Sequence, residues 1–346
     1  MSGPVVLVRC DGSAALGMGH VSRGLALADE LRDAHGCDVI FAMRDPASAG
    51  VSAVRARGYT VTPITDRDAA DYGPSLLAQT TAAAARALVV DVRDALSRAS
   101  LDAVRATGVR VVTIDDGSDR RLASDLAFYP PVPQVEELDW TGFTGARYSG
   151  WEWVLLKREF AVTAGALALQ ESYPIDILVT MGGSDPAGMT EFVLDALNLL
   201  PQAMAVQVVI GPAFTRAHAL AAIVARSKHA VRVTQGPDAM APLMRDSLVA
   251  VASFGVSAYE LAACGVPAVH LCLTADHARS ASVFDRERIA QSLGIFGAIQ
   301  PEQLASAVAG LLGDPRRRDE MAARARALVD GRGAARVAAL VAASLT

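Results

Sequence analysis

A histidine at a helix start, directly behind a glycine-rich turn, is the first group in this chain equipped to act as a general base. Arg9-Cys10-Asp11-Gly12-Ser13 closes an apolar β-branched run, and Gly17-Met18-Gly19-His20 opens the helical stretch HVSRGLALADELRDAHG. Glycines admit a ligand close to the backbone. The free N–H groups and positive dipole end of a helix start favour an anion nearby and a neutral imidazole. A neutral His20 can take a proton. The alternative is a capping or packing role, since glycine-rich turns are common where a strand meets a helix. The turn is not a dinucleotide fingerprint, because Ser22 stands at the position of the third glycine.

Further candidates also follow strands. Met181-Gly182-Gly183-Ser184-Asp185-Pro186 comes after ILVT and can wrap a pyrophosphate, with Ser184 as an added donor, or form an ordinary turn. Ser253-Phe254-Gly255-Val256-Ser257-Ala258-Tyr259-Glu260 joins LVAVA to a helix. There Gly255, Val256 and Ser257 can hold a phosphate. Glu260, one turn in, can accept from ribose hydroxyls or merely complement the helix dipole. Two glycine-rich strand ends in one domain favour the ligand reading, and Gly211, which closes VQVVIG, is grouped with them. Asp91-Val92-Arg93-Asp94 follows LVV, Asp115-Asp116-Gly117-Ser118 follows VVTI, and Asp276-His277 follows VHLCL. Asp115 and Asp116 have the look of a divalent-metal site, but a turn is the simpler account. No histidines pair at metal-ligand spacing, so no metal is expected. His35, His218, His229 and His270 read as surface or packing residues.

The elements that must position these groups alternate between short β-branched runs and Ala/Leu-rich helical stretches. Such alternation argues for parallel sheets covered on both faces. The pattern breaks over 130–160, which holds all three tryptophans. A second α/β series then begins with DILVTMGG, includes a helix near 278–293 after PAVHLCL, and ends in a C-terminal helix pair. The organisation expected is an N-terminal domain over 1–156, a hinge over 157–174 and a C-terminal domain over 175–346. Two doubly wound domains would then face a cleft, with ligands at the carboxyl ends of the strands.

Composition sets the limits. The chain has 346 residues, 52% hydrophobic and 20% charged, with a net charge of −5. That suits two globular domains and excludes general disorder. It supplies no positive excess for nucleic acid and no attraction to an anionic membrane surface. The four cysteines, Cys10, Cys37, Cys264 and Cys272, form no CxxC pair and sit in apolar stretches, as reduced buried thiols do. The first three residues lead straight into PVVLVRC with no basic n-region, and no apolar run reaches membrane-spanning length. A cytoplasmic enzyme is the expectation, and a homodimer is allowed.

The motifs together resemble a known family. RCDGSAALGMGHVSRGLALADEL, TIDDGSDRRLASDLAF, SGWEWVLLKREF, ILVTMGGSDPAGMT and SFGVSAYELAACGVPAVHL are similar, in the same order, to segments of the UDP-sugar hydrolases of the pseudaminic-acid pathway and their spore-coat polysaccharide relatives. The resemblance covers roughly Val5 to Gly294. It implies an α/β fold of the GT-B type, related to the transferase that adds N-acetylglucosamine to the lipid precursor of peptidoglycan. It also implies a C-terminal domain that binds UDP. Gly182, Gly183, Ser184, Gly255 and Ser257 would line the pyrophosphate, Glu260 would hold the ribose, and Met240 would lie near the uracil. His20, in the Gly17–Gly19 turn, would activate the nucleophile, without metal and with no cofactor beyond the UDP-sugar co-substrate.

Two departures bear on the reaction. Asp91-Val92-Arg93 stands where the hydrolases carry Asp-His-Tyr, and Asp276-His277 stands where they carry Asn-Gln. The donor side looks kept and the acceptor side changed. The leading expectation is therefore an inverting transferase acting on a small acceptor, with His20 as base, Asp11, Asp91 or His277 as fallback bases, and the helix starts at Gly182 and Gly255 stabilising the departing UDP. Arg93 suits a uronic-acid carboxylate on the donor. Relatives of the cytosylglucuronate synthase kind use a nucleobase as acceptor. The alternatives are a UDP-sugar hydrolase in which His20 activates water and a non-catalytic nucleotide-sugar-binding protein.

Overall fold

The computed structural model describes residues 3–13, 16–65, 71–161, 173–237 and 239–345. It divides the chain into two compact units, Met1–Lys157 with Arg332–Thr346, and Arg158–Gly331. Residues 162–172 of the expected hinge lie outside the described residues.

In the first unit the β-branched runs become strands and the Ala/Leu-rich stretches helices. The order is β1 (Val5–Cys10), α1 (Gly19–His35), β2 (Asp38–Met43), α2 (Ala49–Ala56), β3 (Thr60–Pro63), α3 (Gly73–Ala82), β4 (Ala87–Asp91), α4 (Arg98–Ala106), β5 (Arg110–Ile114), β6 (Leu126–Tyr129) and β7 (Ala146–Ser149). The seven strands form one parallel sheet in the order β3-β2-β1-β4-β5-β6-β7. Both faces are covered, which is why β1 reads as a continuous apolar run. Val6 and Val8 pack with Val21, Leu25 and Leu31 of α1, whereas Leu7 packs on the other face with Leu76 and Leu101.

Sheet order matters more to the site than any single element. The chain winds outward from β1 to β3, then crosses back to lay β4 on the free side of β1. The carboxyl ends of β1 and β4 therefore sit side by side at the switch point, the place where such sheets bind ligands. Register sets Cys10 beside Asp91 there.

The second unit repeats the plan. It runs β8 (Ile175–Thr180), α5 (Met189–Leu197), β9 (Ala205–Ile210), α6 (Ala217–Arg226), β10 (Ala230–Gln235), α7 (Ala241–Arg245), β11 (Ser247–Ser253), α8 (Val256–Cys264), β12 (Ala268–Cys272), α9 (Ala275–Arg286), β13 (Gln291–Ile295), α10 (Pro301–Leu312) and α11 (Pro315–Leu328). Its parallel sheet has the order β10-β9-β8-β11-β12-β13, so the switch point falls between β8 and β11, with Thr180 beside Ala252.

Two expectations need correction. The C-terminal domain does not extend to 346, because the last helix, α12 (Gly333–Ala343), belongs to the first unit. Val337, Ala338 and Val341 are fully buried in the same core as Val21, Leu27 and Leu31 of α1. The return is close-packed: a Cβ on Gly333 would lie 2.1 Å from the Val154 carbonyl oxygen. Arg86 and Arg110 donate to the carbonyls of Leu345 and Ser344 at 3.0 and 3.2 Å. An Ala/Val stripe fits either core, so pattern alone could not say which one it joins. The second correction concerns the helix expected near 278–293. It ends at Arg286, and Gln291–Ile295 forms an edge strand whose QSLGI sequence carries no alternating signal. All four cysteines are free thiols, three of them buried and Cys264 partly so.

Candidate active site

The first unit gathers charge at the carboxyl ends of β1, β4 and β5. His20 lies in the first turn of α1, whose N-terminus has no side-chain cap, so His20 is not a capping residue. Its Nδ1 is 2.6 Å from Oδ1 of Asp91, the last residue of β4. Arg23 grips the same carboxylate with two hydrogen bonds, Nε to Oδ2 at 2.9 Å and Nη2 to Oδ1 at 2.7 Å.

Asp91 is only 3% exposed at its side chain. Burial by itself would raise its pKa, but Arg23 and His20 outweigh burial and hold the carboxyl well below the usual carboxylate range. An ionised carboxylate can only accept. At 2.6 Å the proton must therefore sit on His20 Nδ1. That leaves the lone pair on Nε2, as a general base requires. Arg23 Nη2, 3.0 Å from Nδ1, is a second donor converging on the same Oδ1.

The other acidic candidates of the first unit also have partners. Asp11 accepts from Arg9 Nη2 at 2.6 Å and from the Arg44 backbone N–H at 2.9 Å, which ties the end of β1 to the end of β2. Both oxygens are engaged, so Asp11 is a tether in this structure. Asp116 accepts from the Ser118 backbone N–H at 2.8 Å and hydroxyl at 2.6 Å, and from Arg120 Nε at 2.9 Å, as a turn residue does. Asp115 accepts from Arg93 Nη2 at 2.9 Å and has Arg23 Nη1 3.9 Å away. The Arg93 side chain is half exposed. Gly17, with φ +76°, accepts from the Ser13 N–H at 3.2 Å and closes the turn, and Gly19 is the first residue of α1. No group of three metal-ligating side chains exists among the described residues.

In the second unit the glycine-rich ends of β8 and β11 converge. Gly182 has φ +79°, a conformation few other residues adopt, and a Cβ there would come 3.6 Å from Ser253 Oγ. Gly211 holds this loop from behind. A Cβ at Gly211 would lie 2.2 Å from the Gly183 carbonyl oxygen, which accepts from the Ala213 N–H at 3.2 Å. Gly211 is thus needed for close backbone approach. Gly255 is different, because a Cβ there would point into open space. It precedes α8, whose first turn, with Val256 and Ser257, carries no side-chain cap. Ser184 and Glu260 are buried, and Met240 stands at the start of α7. Asp276 and His277 lie in the first turn of α9, where Thr274 accepts from the His277 N–H at 3.1 Å. The His277 and Phe254 rings are 6.2 Å apart.

One donor-side expectation is revised. The helix after Gly182 does not offer its start to a phosphate. Asp185 accepts from the N–H groups of Met189 and Thr190 at 2.9 and 2.8 Å, so its own carboxylate occupies the α5 terminus. An anion is left with the Gly182–Gly183 backbone and the uncapped start of α8.

Sequence reasoning missed Arg23 and the capping role of Asp185. The first had a signal, since three residues after His20 is the same helix face.

No family model matches the chain. It is 23% identical over 289 residues to the uncharacterized protein MJ1062 of Methanocaldococcus jannaschii, covering 77% of this chain and 55% of that protein. It is 27% identical over 196 residues to the spore coat polysaccharide biosynthesis protein SpsG of Bacillus subtilis, covering 56% and 57%. The chain thus spans little more than half the length of the curated relatives it matches. Among solved structures, MurG of Acinetobacter baumannii superposes with a TM-score of 0.70 at 17% identity over 98% of this chain and 99% of that one. The spinosyn rhamnosyltransferase SpnG, solved with thymidine diphosphate, gives 0.64 at 18% identity over 97% and 99%. The two doubly wound units with parallel sheets have the GT-B fold.

Proposed function

We propose that this chain is a metal-independent, inverting glycosyltransferase that moves a sugar from a UDP-sugar to a small acceptor. The observation that carries the reading is the His20–Asp91 pair at the switch point of the first unit, with Nε2 left as the proton acceptor. In the reaction, His20 Nε2 takes the proton from the acceptor hydroxyl or N–H. The acceptor heteroatom bonds to C1 of the sugar as the C1–O bond to the diphosphate breaks. The electron pair of that bond leaves on the β-phosphate oxygen. Backbone N–H groups of the Gly182–Gly183 loop and the α8 start stabilise the developing negative charge, a preorganised role of the kind that often dominates catalysis. A single displacement inverts C1.

Arg93, half exposed, suits a donor sugar that carries a carboxylate, such as a uronic acid. A nucleobase as acceptor fits the same scheme. Nucleotide-sugar chemistry is supported by the diphosphate held by the rhamnosyltransferase neighbour and by the polysaccharide role in the name of SpsG. A second reading, a UDP-sugar hydrolase, is supported by the Gly17-Met18-Gly19-His20 turn, which resembles that of the hydrolases. Water would then take the acceptor's place.

The test is release of nucleoside diphosphate from a panel of UDP- and dTDP-sugars, with and without small acceptors and with EDTA present. Acceptor-dependent release that survives EDTA supports transfer. Equal release without acceptor supports hydrolysis. No release from any donor overturns both readings.

A further inference from the structure

We infer that Arg23 is a positioning residue that sets the tautomer of His20 by clamping Asp91, an inference that rests on reading His20 as the base. Arg23 lies one turn beyond His20 on α1, so both side chains leave the same face. Its guanidinium meets both Asp91 oxygens in the fork geometry that fixes a carboxylate in plane as well as in place. Nη1 faces Asp115 Oδ2 at 3.9 Å, and Asp115 is held in turn by Arg93. Arg23 thereby links α1 to the ends of β4 and β5.

The fork has a chemical consequence for His20. Nδ1 has two polar neighbours, Asp91 Oδ1 at 2.6 Å and Arg23 Nη2 at 3.0 Å. They demand opposite tautomers. The carboxylate wants a hydrogen on Nδ1, and the guanidinium would donate to a lone pair there. The carboxylate prevails because it is closer and ionised. If the fork were lost and the carboxylate rotated away, Nδ1 would lose its acceptor and the proton would be free to move to Nε2. An imidazole with Nε2–H cannot take a proton from the acceptor. The bidentate grip is therefore what keeps the basic nitrogen on the outer side of the ring. Lysine keeps the charge but not the fork.

The experiment records two-dimensional ¹⁵N–¹H imidazole spectra of histidine-labelled protein above the pH at which the ring is charged. The His20 signals, one set among six histidines, are assigned by their loss in His20→Gln. The unmodified protein is expected to show the Nδ1–H tautomer. Arg23→Gln is expected to show a mixture or the Nε2–H form, with kcat lowered about 10- to 100-fold, the scale of a mispositioned base, and donor KM little changed. Arg23→Lys, which keeps a cation beside Asp91 and so protects the fold, is expected to restore the melting temperature but not the single tautomer. A retained Nδ1–H form in a folded Arg23→Lys or Arg23→Gln protein overturns the inference. The spectra test Arg23 whether or not His20 is catalytic, whereas turnover of His20→Ala tests the base itself.

Discussion

His20 Nδ1 and Asp91 Oδ1 lie 2.6 Å apart although 71 positions separate the two residues in the chain. The contact exists because β4 crosses back to pair with β1, which sets Asp91 against the strand that leads into the His20 turn. His20→Ala is expected to lower kcat about a hundredfold to ten-thousandfold, the usual range for a general base. His20→Asn should be nearly as inactive, since an amide keeps hydrogen bonding but cannot accept the proton. UDP should bind both variants as it binds the unmodified protein, because its proposed contacts lie on the second unit. Near-normal turnover by either folded variant would make His20 structural.

The two donor-side glycines should respond in opposite ways. UDP at about 100 times Kd should stabilise the protein by about 2.7 kcal/mol. Gly255→Val puts its side chain into open space on an extended backbone, φ 166°. Its stability without ligand should stay within about 0.5 kcal/mol, while the UDP shift disappears. Gly211→Ala drives a methyl group into the Gly183 carbonyl. It should cost roughly 1–3 kcal/mol before any ligand is added. Thermal melts with and without UDP check both, and equal behaviour of the two variants would refute the assignment.

Acid should weaken the second unit through a buried histidine. His270 on β12 is fully buried, with the Phe284 and Phe254 rings 5.3 and 5.9 Å away, and neither of its nitrogens has a hydrogen-bond partner among the described residues. Burial pushes its pKa from 6.5 down to about 4. Below 6.5 the unfolded chain takes up a proton that the folded chain refuses, so stability falls as pH drops from about 6.5 to about 4. The contribution amounts to roughly 3 kcal/mol over that window. His270→Leu should flatten this part of the curve. Urea midpoints measured across the window read the slope, and an unchanged slope in the variant would count against the assignment.

Removing 332–346 should damage the first unit and spare the second. Two fully buried valines, Val337 and Val341, leave the α1 side of the first core. At about 1.5–3 kcal/mol for each buried valine, the loss is roughly 3–6 kcal/mol. Hydrogen exchange should show protection falling in β1 and α1 while β8 and β11 remain protected. Loss of protection in β8 and β11 instead would place α12 with the second unit.

Local physics made much of this protein legible without its structure. Steric preference and hydrophobic patterning mark strands and helices along the chain. Glycine turns at strand ends are visible because few other residues take those conformations, and His20 sits at a helix start whatever surrounds it. Doubly wound topology follows from the alternation, because parallel strands need crossover helices.

Tertiary structure decided the rest, because it depends on strand order, register and which surface an apolar stripe meets. Asp91 could be named as a candidate, but its partner could not, since only the β1–β4 pairing sets it against His20. Arg23 reads as an ordinary helical arginine until that carboxylate is within reach. Asp185 sat in a glycine-rich segment suited to phosphate, and only the path of the chain into α5 shows its carboxylate closing the helix. The last helix carried a stripe of alanine and valine that fits either core. Its place is decided by the shape of α1 and the close approach of Gly333 to Val154, contacts between parts of the chain that no local pattern relates.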